Sequence, residues 1–95
     1  MIGCQALTVR VHLLIAGRVQ GVGFRWFARE TAERLKVGGW ARNLPGGEVE
    51  AEAEGDGAAV EDFVAAMRKG CPFSRVDRVM RSVSAPKGDA TFDIR

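Results

Sequence analysis

Residues 8–36 decide the fold, and they read TVRVHLLIAGRVQGVGFRWFARETAERLK. Residues 8–13 alternate between polar and apolar, which predicts a strand with one apolar face made of Val9, Val11, Leu13 and Ile15. From residue 24 the apolar spacing becomes helical, and one face of the predicted helix carries Phe24, Phe27, Ala28, Thr31 and Leu35. Between these two elements, residues 17–23 contain three glycines and predict a loop.

The rest of the chain predicts a hairpin, a second helix and two further strands. The predicted strands are residues 37–44 and 48–54 for the hairpin, followed by residues 74–83 and 91–94. Asp56 is a suitable N-cap for the second helix, and Gly70 ends it. The apolar stripe of this helix consists of Val60, Phe63, Val64 and Met67.

The order of elements is therefore β-α-β-β-α-β with a short final strand. Each helix has one apolar stripe, which it must bury against one face of the sheet. This predicts an α+β fold, a ferredoxin-like two-layer sandwich with a mostly antiparallel sheet and two helices on one face. A chain of 95 residues is too short for a second independent core, so we expect residues 1–95 to form a single domain.

Four glutamates alternate along the second hairpin strand, at positions Glu48, Glu50, Glu52 and Glu54. Such a ladder could form a pair of catalytic carboxylates or a strip that binds cations. Antiparallel sheets commonly have one face in water. We therefore expect these four side chains to form a solvated sheet face.

Composition excludes several classes of protein. A hydrophobic fraction of 46% and a charged fraction of 27% are those of a globular chain, and the net charge of +2 is too small to indicate a nucleic-acid partner. The apolar run at residues 13–17 is far shorter than the roughly 20 residues of a membrane span. Residues 1–7 carry no secretory signal. We expect a cytoplasmic monomer that binds neither nucleic acid nor a membrane.

The cysteines and the histidine offer little chemistry. Cys4 and Cys71 have no second ligand pair nearby, so a zinc site is not expected, and nothing indicates the oxidising compartment that a disulfide needs. His12 lies in the middle of the first predicted strand, and we interpret it as structural or solvent-facing. No metal site and no cofactor are predicted.

The glycines before the first helix, with Arg25 in its first turn, are typical of an anion site. Freed backbone N–H groups and the positive end of a helix attract an oxyanion, and a guanidinium can donate to two phosphoryl oxygens at once. The spacing of Gly17, Gly21 and Gly23 fits neither a Walker A loop nor a dinucleotide fingerprint. A glycine-rich turn before a helix can also be purely structural.

Three segments carry a resemblance to a known family. The stretch GRVQGVGFR at residues 17–25 resembles the signature loop of the acylphosphatase family, and GWARN at residues 39–43 resembles its second signature. The segment SRVDRV at residues 74–79 and the final Ile94 and Arg95 are similar to its later strands. Together these segments span nearly the whole chain in the family's order.

The resemblance implies a small enzyme that hydrolyses the carboxyl-phosphate bond of acyl phosphates without metal or cofactor. It assigns phosphate binding to Arg25 and positioning of the attacking water to Asn43, although an asparagine there could also simply end a strand. The implied phosphate-binding loop consists of Gln20, Gly21, Val22, Gly23, Phe24 and Arg25. Inorganic phosphate or sulfate should compete with the substrate. Arg18 could face the phosphate or be a solvated loop residue.

Three other functions are alternatives to this enzyme. A module that binds single-stranded RNA on its sheet would need exposed aromatic residues, which the first strand lacks, and the glutamates would repel phosphates. A sensor that has lost turnover is disfavoured by the presence of Arg25 and Asn43. A domain detached from a larger carbamoyl-transfer protein is disfavoured because the chain ends at Arg95 and has no zinc-finger cysteines.

Overall fold

The computed structural model describes residues 7–95, which form a two-layer α+β sandwich. Its elements, in chain order, are β1 (Thr8–Arg18), α1 (Phe24–Leu35), β2 (Gly38–Asn43), β3 (Val49–Asp56), α2 (Gly57–Lys69), β4 (Arg75–Ser84) and β5 (Phe92–Ile94). The strands form one sheet in the order β4-β1-β3-β2-β5. All neighbours are antiparallel except β2 and β5, which are parallel. The predicted ferredoxin-like fold is confirmed.

The core lies between the two helices and one face of the sheet. In β1 the predicted alternation is confirmed, since Val11, Leu13 and Ile15 are buried and Val9 packs against them. The helices contribute the stripes that the sequence predicts, and their buried apolar residues are Phe24, Ala28, Ala32, Val60, Phe63, Val64 and Met67. Small residues of β2 and β3, Ala41, Ala51 and Ala53, let the helices approach the sheet closely.

Strand β1 is longer than the sequence predicts, because Gly17 and Arg18 belong to it and not to the loop. The pairing of β1 with β4 shifts register between Ala16 and Gly17, which is the signature of a β-bulge. Gly17 has a φ of 135°, and a Cβ there would collide with the carbonyl oxygen of Arg75. The glycine is therefore required by close backbone approach inside the strand pair.

The expectation of a solvated glutamate ladder is wrong for the C-terminal half of β3. Glu52 and Glu54 are only 9% and 4% exposed, and they surround Arg10, which is 1% exposed. The Nε atom of Arg10 lies 2.6 Å from Oε1 of Glu52, and its Nη1 atom lies 2.8 Å from Oε1 of Glu54. A buried charge needs such partners, because desolvation alone would destabilise it.

The segment between β4 and β5 covers this cluster. Asp89 completes the set of carboxylates around Arg10, with Oδ2 at 2.9 Å from Nη1. The N–H groups of Lys87 and Gly88 donate to the two oxygens of Glu54 at 2.6 and 2.8 Å. Burial would raise the pKa of Glu54, but these N–H donors and Arg10 together lower it.

A second polar cluster lies on the same face of the sheet, at the N-terminal half of β3. His12 is half-buried, and its Nε2 atom lies 2.7 Å from Oε2 of Glu50. Glu50 also pairs with Arg42, and the hydrogen bond to His12 is the main cause that lowers the pKa of Glu50. The interpretation of His12 as a structural residue agrees with this position.

Neither a membrane-spanning helix nor a cluster of metal ligands is present within residues 7–95. No helix in that range has the length and apolar character needed to cross a membrane. The same range contains no group of three or more His, Cys, Asp or Glu side chains placed to hold a metal ion. Cys71 is a free thiol, whereas Cys4 lies outside the described residues, so the expected absence of a disulfide stays a prediction.

Candidate active site

The loop between β1 and α1 turns the chain directly into the start of the helix. Gly21 and Gly23 have φ values of 73° and 78°, in the left-handed region that side chains disfavour. Gly23 is the residue before α1, and the first hydrogen bond into the helix runs from the N–H of Phe27 to its carbonyl at 3.0 Å. The N–H groups of residues 24–26 therefore precede the intrahelical ladder and are available to an anion.

Gln20 joins this loop to the hairpin between β2 and β3. Its Nε2 atom donates to the carbonyl oxygens of Leu44 at 2.7 Å and Glu48 at 2.9 Å. The side chain thus lies against the hairpin, and it is not among the residues that line the cleft described below. It connects the loop with the strand that ends in Asn43.

Arg25 occupies the first turn of α1 and is half-buried. Its Nη1 atom donates to the main-chain oxygen of Arg95 at 3.0 Å. The N–H of Arg95 in turn donates to the carbonyl of Ala41 in β2 at 2.8 Å. This chain of contacts fixes the direction of the Arg25 guanidinium relative to β2.

Arg25 and Asn43 line the same small cleft. Asn43 is the last residue of β2, and its side chain is exposed. The cleft has a volume of about 150 Å³ and is lined by Val19, Gly21, Gly23, Phe24, Arg25, Trp26 and Asn43. The two residues that the sequence singles out therefore meet the glycine loop and the helix N-terminus at one place.

The other residues of the predicted loop have different positions. The side chain of Val22 packs against the core and does not line the cleft, and the ring of Phe24 is 1% exposed and contributes to the cleft floor. Arg18 ends β1, is exposed and lies outside the cleft lining. The carbonyl of Val22 lies 3.7 Å from Sγ of Cys71, which brings the α2–β4 connection against the loop.

Sequence reasoning missed Trp26 and Arg95 at this site, and also Val19, a buried residue just before the predicted phosphate-binding loop that lines the cleft. Trp26 lines the cleft although the helical spacing places it outside the apolar stripe of α1. An aromatic residue off the buried face of an amphipathic helix is the signal that could have found it. Arg95 contacts Arg25 through main-chain atoms, so no side-chain pattern could have indicated its position.

A larger cavity lies elsewhere, between β1, β4 and the start of α2. Its volume is about 480 Å³, and its lining includes Val9, Val11, Val83 and Pro86. The charged side chains Glu61 and Arg81 in its lining form an ion pair with each other at 2.7 Å. Arg10 also lines the cavity, but its guanidinium pairs with Glu52, Glu54 and Asp89, so carboxylates already neutralise the positive charges here. Volume alone does not make this cavity the reaction site.

Comparison with known proteins shows the family of this chain. A family model described as Acylphosphatase matches residues 11–94. The chain belongs to the acylphosphatase family. An acylphosphatase of Thermococcus kodakarensis is 49% identical over 86 residues, which cover 90% of this chain and 94% of that protein. An acylphosphatase of Anaeromyxobacter dehalogenans is 49% identical over 88 residues, covering 92% of this chain and 95% of that protein.

A solved structure extends the likeness to three dimensions. The acylphosphatase from Bacillus subtilis superposes with a TM-score of 0.89 at 39% sequence identity, covering 92% of this chain and 98% of that chain. The chain is thus similar over nearly its full length to single acylphosphatase chains. It is an enzyme of the acylphosphatase family.

Proposed function

We propose that this enzyme hydrolyses acyl phosphates to a carboxylate and inorganic phosphate in the cleft of Arg25 and Asn43. The observation that carries the proposal is that both side chains line one cleft with the left-handed glycines and the open start of α1. Membership of the acylphosphatase family supports the class of reaction. The assignment of individual residues rests on the contacts described above.

The phosphoryl group of the substrate is held by the loop and by Arg25. Backbone N–H groups at the start of α1 and the partial positive charge of the helix attract the phosphoryl oxygens. Arg25 adds a planar, permanently charged donor that can engage two of these oxygens. Because Arg25 is already held by the main chain of Arg95, little reorganisation is needed when charge develops.

Asn43 positions the attacking water. An amide side chain both donates and accepts hydrogen bonds, so it can orient a water molecule on the phosphorus. The water oxygen forms a bond to phosphorus while the bond from phosphorus to the carboxyl oxygen breaks, and the electron pair leaves with the carboxylate. The proton of the water passes to a phosphoryl oxygen, which yields a carboxylate and dihydrogen phosphate. The carboxylate is a good leaving group, so positioning and charge stabilisation suffice.

Hydrolysis of benzoyl phosphate in the presence of a chelator tests the proposal. The wild-type protein should turn over, and inorganic phosphate or sulfate should inhibit competitively and raise the melting temperature. Arg25→Ala should abolish measurable turnover, because removal of one partner of a desolvated charge pair costs on the order of 3–5 kcal/mol. Arg25→Lys should recover little, since a point charge lacks the fork geometry of a guanidinium.

Arg34→Ala is the matched control, because Arg34 is an exposed arginine in the last turn of the same helix. It should retain wild-type kinetics. If phosphate stabilised Arg25→Ala as much as the wild type, the anion would bind elsewhere. A chelator that stopped turnover would overturn the metal-independent mechanism.

A further inference from the structure

Trp26 is a large exposed side chain in the lining of the reaction cleft. It is 58% exposed, and it directly follows Arg25 in the first turn of α1. The other large hydrophobic residues that are exposed within residues 7–95 are Leu7, Phe73, Met80 and Val83. None of these four lines the cleft. An aromatic ring beside a polar anion site is a candidate contact for the apolar part of a ligand.

The ring of Trp26 contacts the side chain of Arg29, one turn further along α1. The guanidinium carbon of Arg29 lies 4.8 Å from the ring centroid, within the range of a cation–π interaction. The Nε atom of Arg29 also lies 3.6 Å from Oε2 of Glu33. These contacts orient the indole while more than half of the residue stays accessible to a ligand. A ring that is already oriented loses little conformational freedom on binding.

The dimensions of the cleft leave the acyl group of a substrate near this ring. Pockets that enclose a drug-sized ligand measure roughly 300–1,000 Å³, whereas this cleft measures about 150 Å³. With the phosphoryl group seated between Arg25 and the glycine loop, a large acyl group must project to the cleft rim. Among the lining residues, Val19 and Phe24 are buried, so the exposed side chains at the rim are those of Trp26 and Asn43.

We propose that Trp26 forms a binding platform for the acyl group and makes the enzyme prefer acyl phosphates with an aromatic acyl group over acetyl phosphate. This inference rests on the proposed function, since it assumes that the phosphoryl group occupies the Arg25 cleft. An aromatic acyl group covers the accessible part of the indole and removes apolar surface from water. A methyl group is too small to make this contact.

Steady-state kinetics of Trp26→Ala and Trp26→Phe with two substrates test the inference. For Trp26→Ala the KM for benzoyl phosphate should rise about fivefold, as expected when an aromatic pair contributing about 1 kcal/mol is lost. The KM for acetyl phosphate and kcat for both substrates should change little, because the contact is made equally in ground state and transition state. Trp26→Phe should recover most of the preference, since it restores an aromatic face.

Met80→Ala is the matched control, because Met80 is 53% exposed and lies on β4, outside the cleft lining. It should leave both KM values unchanged. The inhibition constant of inorganic phosphate, which has no acyl group, should be the same in wild type and Trp26→Ala. If Trp26→Ala left the ratio of the two KM values unaltered while phosphate still inhibited, the platform would be refuted and the proposed function retained. A wild-type protein that hydrolysed neither substrate would overturn both.

Discussion

Replacing Gln20 tests whether the contact between the loop and the hairpin sets the geometry of the reaction site. Its Nε2 atom donates to the carbonyl oxygens of Leu44 and Glu48, at 2.7 and 2.9 Å. Gln20→Glu keeps the length of the side chain but presents an ionised carboxylate, which only accepts hydrogen bonds, to two carbonyl oxygens. We expect the loop to separate from the hairpin, so that Arg25 and Asn43 no longer act on the same phosphoryl group.

The magnitude follows from the two hydrogen bonds. Each contributes about 0.5–1.5 kcal/mol, so the pair contributes roughly 2 kcal/mol. Both carbonyls keep a second partner, because Leu44 accepts from the N–H of Gly47 at 3.1 Å and Glu48 accepts from the N–H of Leu44 at 2.9 Å. No acceptor is left without a partner, so roughly 2 kcal/mol is the loss for an apolar variant, and an ionised carboxylate adds its repulsion from the two carbonyl oxygens. Since about 1.36 kcal/mol corresponds to a factor of ten, the ratio of docked to separated loop falls by about 30-fold.

The assay is hydrolysis of benzoyl phosphate by Gln20→Glu and by the apolar variant Gln20→Met, with far-UV circular dichroism to verify folding. The value of kcat/KM should fall in Gln20→Met by at most about 30-fold, the limit set by the two lost hydrogen bonds, and further in Gln20→Glu, whose carboxylate is also repelled by the two carbonyl oxygens. Glu48→Gln is the control, because it alters the side chain and leaves the main-chain acceptor in place. A folded Gln20→Glu protein with wild-type kcat/KM would refute the reasoning, and a lower melting temperature alone would make the contact merely structural.

Two further predictions concern the attacking water and the buried charge cluster. Asn43→Ala should lower kcat with little change in KM, since the oriented water is used only in the transition state. A raised KM at constant kcat would instead make Asn43 a substrate-binding residue. The pKa of Glu54 is lowered in the fold, because hydrogen bonds from Lys87, Arg10 and Gly88 outweigh the effect of burial. Its contribution to stability is therefore complete above the unfolded value of about 4.3 and is lost as the pH falls through the folded pKa. Urea unfolding as a function of pH should show this loss in the wild type, and an equally steep loss in Glu54→Gln would assign it to other groups.

The pattern of apolar residues was sufficient to predict the fold. The spacing that places Val9, Val11, Leu13 and Ile15 on one face of a strand, the helical spacing from Phe24 and the later hairpin, helix and strands together give the order β-α-β-β-α-β. The predicted ends of the elements were less accurate than their types and order. Gly17 breaks a regular ladder, and its bulge against Arg75 is defined by the partner strand, which the local sequence does not contain.

The error at the glutamate ladder has a different cause. Alternation separates the two faces of β3 but does not tell what covers the outer one. Arg10 is the cross-strand partner of Glu54, and the carboxylate of Asp89 reaches it from a segment 79 residues away in sequence. The sequence does place Arg10 on the polar face of β1. Only the register of β1 with β3 shows that its charge meets the glutamates.

The proposed reaction site was predictable where the chemistry is local. Arg25 follows directly from the glycine loop, because a helix start and an arginine in its first turn are adjacent in sequence. Asn43 could be placed only through the family resemblance, since its proximity to Arg25 depends on the pairing of β2 within the sheet. The side chain of Gln20 was assigned to the phosphate-binding loop, yet it contacts the hairpin, an interaction that requires the folded turn at residues 44–48.

In the proposed mechanism the cleft acts on an anion with few side chains, and the arrangement of the loop accounts for this. Gly21 and Gly23 supply the left-handed conformations, but glycines alone would leave the loop free to adopt many others. Contacts from separate elements restrict it, since Gln20 joins it to the hairpin and the carbonyl of Val22 lies against Cys71. Donors that are already oriented stabilise developing charge without paying for reorganisation during the reaction. The catalytic power of the cleft should therefore depend on these distant contacts as well as on Arg25, and substitutions at Gln20 should lower turnover although its side chain does not line the cleft.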